Sequence, residues 1–165
     1  MRLTIVAAWE AVAVDKGIRW RGPRRWAGLP AGAKAALAVY AIGFLEGACS
    51  HILQIAGGGV HTYDWVWWPS QVLYYTLVVW DSLVVYLAVR AQAAVVPLGV
   101  AIMVLDLGSN WHYNWSAIRA DPGLFWAPVG LLPMSSFGLF VVAAGMPLWR
   151  VLRRRRATEA TPDIW

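Results

Sequence analysis

Three carboxyl side chains, Glu46, Asp81 and Asp106, lie in apolar stretches that are long enough to cross a bilayer and contain no lysine or arginine. A charged carboxylate near the centre of a bilayer costs about 2.5 to 3.5 kcal/mol on the scale derived from insertion experiments. Such a group must therefore be protonated, be neutralised by His51, or be neutralised by a partner outside this chain. A neutral acid can donate a proton, and a carboxylate can stabilise a cation. These three acids are the predicted catalytic residues.

Polar side chains on the same predicted helices lie where they can assist the three acids. At about 100° per residue, His51 and Gln54 share a side of the first helix with Glu46, and Asn110 shares a face with Asp106. Each acid taken alone could instead be a hydrogen-bonding contact between helices. The predicted substrate-binding residues are Tyr74, Tyr75, Asn110, His51 and Gln54. The spacing predicts no metal site and no cofactor.

The three acids are predicted to lie at a common depth. At about 1.5 Å of rise per residue, Glu46 lies roughly 18 Å from Lys34, Asp81 roughly 14 Å from Arg90, and Asp106 roughly 18 Å from Ala94. Each helix could have carried its acid anywhere along about 30 Å of hydrocarbon. A shared layer of carboxyl groups inside a helical bundle is the simplest interpretation.

Composition sets the class of protein. The chain has 165 residues, of which 59% are hydrophobic and 14% charged, with a mean hydropathy of +0.52. Soluble domains carry about 25% charged residues, so these values predict an all-α integral membrane protein. Cys49 is the only cysteine, which excludes a disulfide within the chain.

Four stretches have the length and apolar character of membrane spans. They cover about residues 35–56, 66–89, 94–113 and 124–149. A basic segment, residues 1–34, precedes this four-helix bundle, and a basic tail, residues 150–165, follows it. Pro97 is expected either in the first turn of the third helix or at a kink within it.

The basic residues predict an orientation in the membrane. They concentrate before the first span, between the second and third spans and after the fourth, and Arg119 is the only arginine in the other two loops. By the positive-inside rule, both chain ends are then cytoplasmic, and we expect a bacterial cytoplasmic membrane. This orientation accounts for the pI of 9.8, so no nucleic-acid partner is expected. Tryptophans at both predicted membrane edges fit an aromatic belt, and Trp26 is expected among those at the inner edge.

These patterns favour a pocket inside the membrane that binds or transforms an apolar or amphipathic small molecule, such as a lipid or an isoprenoid. In layout, though not in aligned residues, the chain resembles the sterol isomerase group and the membrane-bound terpenoid cyclases, which protonate or deprotonate apolar substrates. Two alternatives remain open. One is a proton- or cation-coupled carrier or channel subunit that works as a homo-oligomer, and the other is a structural or assembly subunit of a membrane complex.

Overall fold

The computed structural model describes residues 24–127 and 130–160, which form four long helices. Helix α1 spans Ala31–Gly58, α2 spans Trp68–Val89, α3 spans Val95–Ala120 and α4 spans Leu131–Ala160. Short 3-10 segments lie at Arg24–Trp26, Gly59–His61 and Pro122–Trp126. All four long helices contain a stretch that is long and apolar enough to cross a membrane, which confirms the predicted number of spans.

The turn between α3 and α4 differs from its predicted position. Helix α4 begins at Leu131 rather than near Leu124, and α3 continues to Ala120, beyond the predicted end at Tyr113. The reason is local, because the Asp121 carboxylate accepts a hydrogen bond from the backbone N–H of Gly123 at 2.9 Å. Together with Pro122, this bond starts a 3-10 turn rather than an α-helix. Pro97 lies in the first turn of α3, where its missing N–H costs no helical hydrogen bond.

The interior of the bundle is apolar and aromatic. Fully buried side chains come from all four helices and include Leu37, Leu77, Val95 and Val141. A polar contact crosses this core between α1 and α4, since the Tyr40 hydroxyl donates a 2.6 Å hydrogen bond to the Val141 carbonyl oxygen.

The inward face of α1 differs from the predicted polar face. Its buried residues are Ala33, Leu37, Tyr40, Phe44 and Ala48, and neither Glu46 nor Gln54 is among them. Large apolar side chains set this phase, and Gly43 and Gly47, which form a GxxxG pair, lie beside it. A Cβ atom at Gly43 would overlap the Phe137 ring of α4, so this glycine admits a close aromatic contact.

The segment before α1, the α2–α3 loop and the end of α4 meet at one end of the bundle, called here the basic end. The Trp26 indole N–H donates to the Ala88 carbonyl oxygen at 3.1 Å, and an Arg155 guanidinium donates to the Arg25 carbonyl oxygen. Trp26 is only 3% exposed, so its predicted place in an aromatic belt is wrong. At the opposite end, called the aromatic end, several large rings are exposed: Trp65, Trp67, Trp68, Trp115 and Trp126.

Candidate functional site: the intramembrane carboxyl groups

Asp81 is the buried acid of the bundle. It lies on α2 with 4% of its surface exposed, and its carboxyl group faces the backbone of α1 at Gly47. A Cβ atom at position 47 would lie 2.8 Å from Asp81 Oδ2, so a larger residue there would require this carboxyl group to move. Among the described residues, no hydrogen-bond donor contacts the Asp81 carboxyl group. The acid is thus enclosed without a partner that would neutralise it.

Asp106 is half-buried on α3 and has one side-chain partner. Asn110, one turn later, donates from Nδ2 to Asp106 Oδ1 at 3.0 Å, as their shared face predicted. The three predicted acids lie on three different helices, Glu46 on α1, Asp81 on α2 and Asp106 on α3.

Glu46 does not lie in the interior, contrary to its expected place in a buried layer. Its side chain is exposed on α1, where the Ser50 hydroxyl donates to Oε1 at 3.1 Å. The cause is the phase of α1, which turns Gly47 toward Asp81 and leaves the preceding residue on the outer surface. Glu46 therefore lies at the outer surface of the bundle, whereas Asp81 is buried and Asp106 is half-buried.

Toward the aromatic end, the acids are followed by a cluster of rings on α1, α2 and the loop between them. The His51 ring stacks on Tyr74 with centroids 6.2 Å apart and an interplanar angle of 22°. The Tyr74 hydroxyl donates to Ser109 Oγ on α3 at 3.0 Å. Tyr75, half-buried, packs edge-on against Tyr63 at 4.9 Å. Both predicted tyrosines and His51 thus lie in one cluster.

Tyr63 lies at the centre of this ring cluster, although no sequence pattern selected it as a site residue. Its hydroxyl lies 2.9 Å from His51 Nδ1 and donates to Gln54 Oε1 at 3.2 Å. Gln54 itself is exposed, although it was expected to face the protein. Burial raises the pKa of Tyr63 to about 12, and nearby Tyr75, Asp106 and Tyr74 add smaller contributions in the same direction.

Helical periodicity could not predict a role for Tyr63, because Tyr63 lies in the loop that follows three consecutive glycines. That loop folds back on α1, where the Thr62 hydroxyl reaches the Gln54 and Gly59 carbonyl oxygens at 3.2 and 2.8 Å. The folded loop brings Tyr63 over Tyr74, with ring centroids 5.2 Å apart. Tyr113 of α3 contacts the same loop near the start of α2, where its hydroxyl accepts a hydrogen bond from the Trp67 backbone N–H at 3.1 Å.

The site offers acid, amide and phenol groups in an apolar setting. Within residues 24–127 and 130–160, no three histidine, cysteine or acidic side chains are placed to hold a metal ion together. His61 and Asp64 pair at 2.7 Å, but both are exposed in the loop at the aromatic end, where solvated side chains were expected. The buried groups can hold and transfer protons or stabilise a positive charge.

Comparison with protein-family models, with curated protein sequences and with solved structures finds no match to this chain. The geometry of the carboxyl groups and the ring cluster is therefore the basis for a functional proposal.

Proposed function

We propose that this protein binds an apolar or amphipathic small molecule, of lipid or isoprenoid type, at Asp81 and Asp106 inside the membrane. The observation that carries the proposal is the Asp81 carboxyl group, 4% exposed and without a hydrogen-bond donor or cation among the described residues. Burying an unpaired ionisable group is costly, so proteins keep such groups where they serve a function. A ligand with a positive centre, or one that develops positive charge, would gain most from this site.

The two inner acids take different roles in this proposal. Asp106 is half-buried and held by Asn110, so it is the group that a ligand can reach and that exchanges a proton with it. Asp81 is buried against Gly47 and would supply negative potential from the α2 side. The ring cluster, with Tyr74, Tyr75 and His51, would then orient the apolar part of the ligand by stacking and by cation–π attraction.

A pair of probes that differ only in charge tests this proposal. N,N-dimethylfarnesylamine carries a positive charge when protonated, and farnesol has the same chain with a neutral head. We expect the full-length protein, in nanodiscs of phosphatidylcholine, to bind the amine about tenfold or more tightly than the alcohol, a difference of about 1.4 kcal/mol. Equilibrium binding of the radiolabelled probes measures this preference.

Variants of single acids identify the carboxyl groups that are responsible for the preference for the amine. Asp81→Asn and Asp106→Asn should each abolish the preference for the amine, because they remove a negative charge while keeping the side-chain shape. Asp64→Asn, in the exposed loop, should leave it unchanged. Equal binding of the two probes by the wild-type protein would refute the proposal, as would a preference that survives in both inner variants.

Glu46 favours a second candidate, a proton- or cation-coupled carrier that works as an oligomer. Its carboxyl group is exposed on a helix that is apolar enough to span a membrane, and Ser50 is its hydrogen-bond partner among the described residues. A carboxyl group facing lipid is costly, and contact with a second copy of the chain would remove that cost. In this function, Glu46, Asp81 and Asp106 would pass a proton from the outer face of α1 to the bundle interior.

We also propose that the basic end faces the cytoplasm of a bacterial cell, because lysine and arginine are retained on that side of membranes. The exposed tryptophans of the aromatic end would then lie at the outer membrane surface.

A further inference from the structure

A cleft at the basic end lies far from the carboxyl groups. It has a volume of about 460 Å³ and is lined by Ala93, Ala94, Trp149, Arg153 and Arg156. The alanines come from the loop between α2 and α3, and the other three residues come from the last turns of α4. Because Trp149, Arg153 and Arg156 are three or four residues apart, they lie on one face of that helix.

Two guanidinium groups are held in place at this cleft. Arg153 Cζ lies 4.7 Å from the centroid of the Trp149 ring, a cation–π contact that orients the side chain. Arg156 donates from Nη2 to Gln92 Oε1 at 3.2 Å, which anchors it to the loop. A guanidinium has five N–H donors, so each arginine keeps donors for a ligand.

Neither guanidinium group at the cleft pairs with a carboxylate among the side chains that the structure describes. The contact between His61 and Asp64 lies at the opposite end of the bundle. Two adjacent guanidinium groups repel each other and favour a shared anion. Arginine is well suited to phosphate oxygens, which it can contact through two parallel hydrogen bonds.

The position of the cleft indicates where that anion comes from. The apolar part of α4 ends at Trp149, and a run rich in arginine follows it from Arg150 to Arg156. The cleft therefore lies at the edge of the hydrocarbon region, at the depth of lipid phosphates. Its wall is apolar on one side, formed by Trp149 and the two alanines. We propose that this cleft binds the phosphodiester of an anionic membrane lipid, with Arg153 and Arg156 contacting the phosphate oxygens.

Binding of individual lipids to the full-length protein in neutral detergent, followed by native mass spectrometry, tests the proposal. We expect phosphatidylglycerol to bind more tightly than phosphatidylcholine, and the double variant Arg153→Gln with Arg156→Gln to lose about tenfold or more in affinity for phosphatidylglycerol. Ala94→Phe should weaken binding without a change of charge, because it fills the cleft from its exposed loop position.

The matched control removes the same charge from the same end of the bundle. Lys34→Gln with Arg150→Gln alters two basic residues that do not line the cleft, and it should leave the affinity nearly unchanged. An equal loss in this control would mean a diffuse electrostatic effect and would overturn the proposed site. Displacement of the lipid by excess inorganic phosphate, or equal binding of phosphatidylcholine, would overturn the assignment to an anionic lipid.

Discussion

At the scale of single residues, the burial and the neighbours of each carboxyl group determine which role it can have. Asp81 and Asp106 share an interior in which charge is poorly solvated, and Glu46 lies at the outer surface of α1. The sequence placed all three in apolar stretches, but hydropathy alone does not say which side of a helix faces protein. Gly47 makes the distinction, because its missing side chain is what admits the carboxyl group of Asp81.

The Tyr63 hydroxyl offers a residue-scale prediction. Tyr63→Phe removes the hydrogen bonds to His51 and Gln54, and we expect the free energy of unfolding to fall by about 1 kcal/mol at neutral pH. Tyr86→Phe, at an exposed ring near the basic end, should change it little. Unfolding by titration with sodium dodecyl sulfate in mixed micelles measures the difference.

The same variant should also change the dependence of stability on pH. The pKa of Tyr63 is raised to about 12 in the folded protein, from the ordinary tyrosine value of 10.0. The folded state therefore holds this proton more tightly, so its contribution is complete below pH 10 and is lost as the pH rises through 12. The wild-type protein should lose more stability than Tyr63→Phe across this range. Parallel curves for the two proteins would contradict the proposed environment of Tyr63.

At the scale of helices, the sequence predicts where helices occur better than it predicts which side of each helix faces the protein interior. The four helices followed from length and hydropathy, because backbone groups in lipid must be satisfied within a helix. The inward face of α1 did not follow, because a helix surrounded by lipid is apolar on all sides and its periodicity carries little information. The polar positions pointed to Glu46 and Gln54, yet both are exposed, whereas Ala48 is buried. Tyr63 was missed since it lies in a loop.

Helix α2 ends in a cap that the sequence does not predict, because alanine stands where glycine is usual. The Gln92 N–H donates to the Leu87 carbonyl oxygen and the Ala91 N–H to the Ala88 carbonyl oxygen, both at 2.9 Å, which is the Schellman pattern. Ala91 has a φ of 50°, in the left-handed region where glycine is favoured. This cap orients the loop that carries Ala93 and Ala94 to the cleft at the basic end.

A substitution at this cap gives an element-scale prediction. Ala91→Gly should raise the free energy of unfolding by about 1 kcal/mol, because glycine adopts a positive φ without the steric cost that alanine bears. Ala35→Gly, at an exposed position within α1, should have the opposite sign and lower it by roughly 0.5 to 1 kcal/mol. Thermal unfolding in detergent compares the two. If both changes lower stability, the left-handed conformation at Ala91 is wrong.

At the scale of the whole molecule, the bundle has a basic end, an aromatic end and a group of acids between them. One face of α1 exposes large apolar side chains that do not pack within the described part of the single chain. Ile42 and Leu53, 70% and 72% exposed, lie on it with Glu46 and Cys49 at alternating spacings of four and three residues. This spacing is that of a left-handed helix pair. A second copy packed on this face would bring the two Glu46 carboxyl groups together, where protonated acids can bond each other.

The single cysteine allows this arrangement to be tested in the native chain. If two copies pair along this face of α1, Cys49 of each lies near the axis, and oxidation with copper phenanthroline in membranes should yield a disulfide-linked dimer. Glu46→Leu should reduce the dimer, because it removes the polar contact and keeps the face apolar. The control moves the cysteine to an exposed position on α4, by combining Cys49→Ser with Leu139→Cys, and should remain monomeric. A dimer that forms equally well from either cysteine would reflect random collision in the bilayer and contradict pairing through α1. A monomer under all conditions would also contradict it, and would leave the enclosed pair Asp81 and Asp106 as the functional acids of a single bundle.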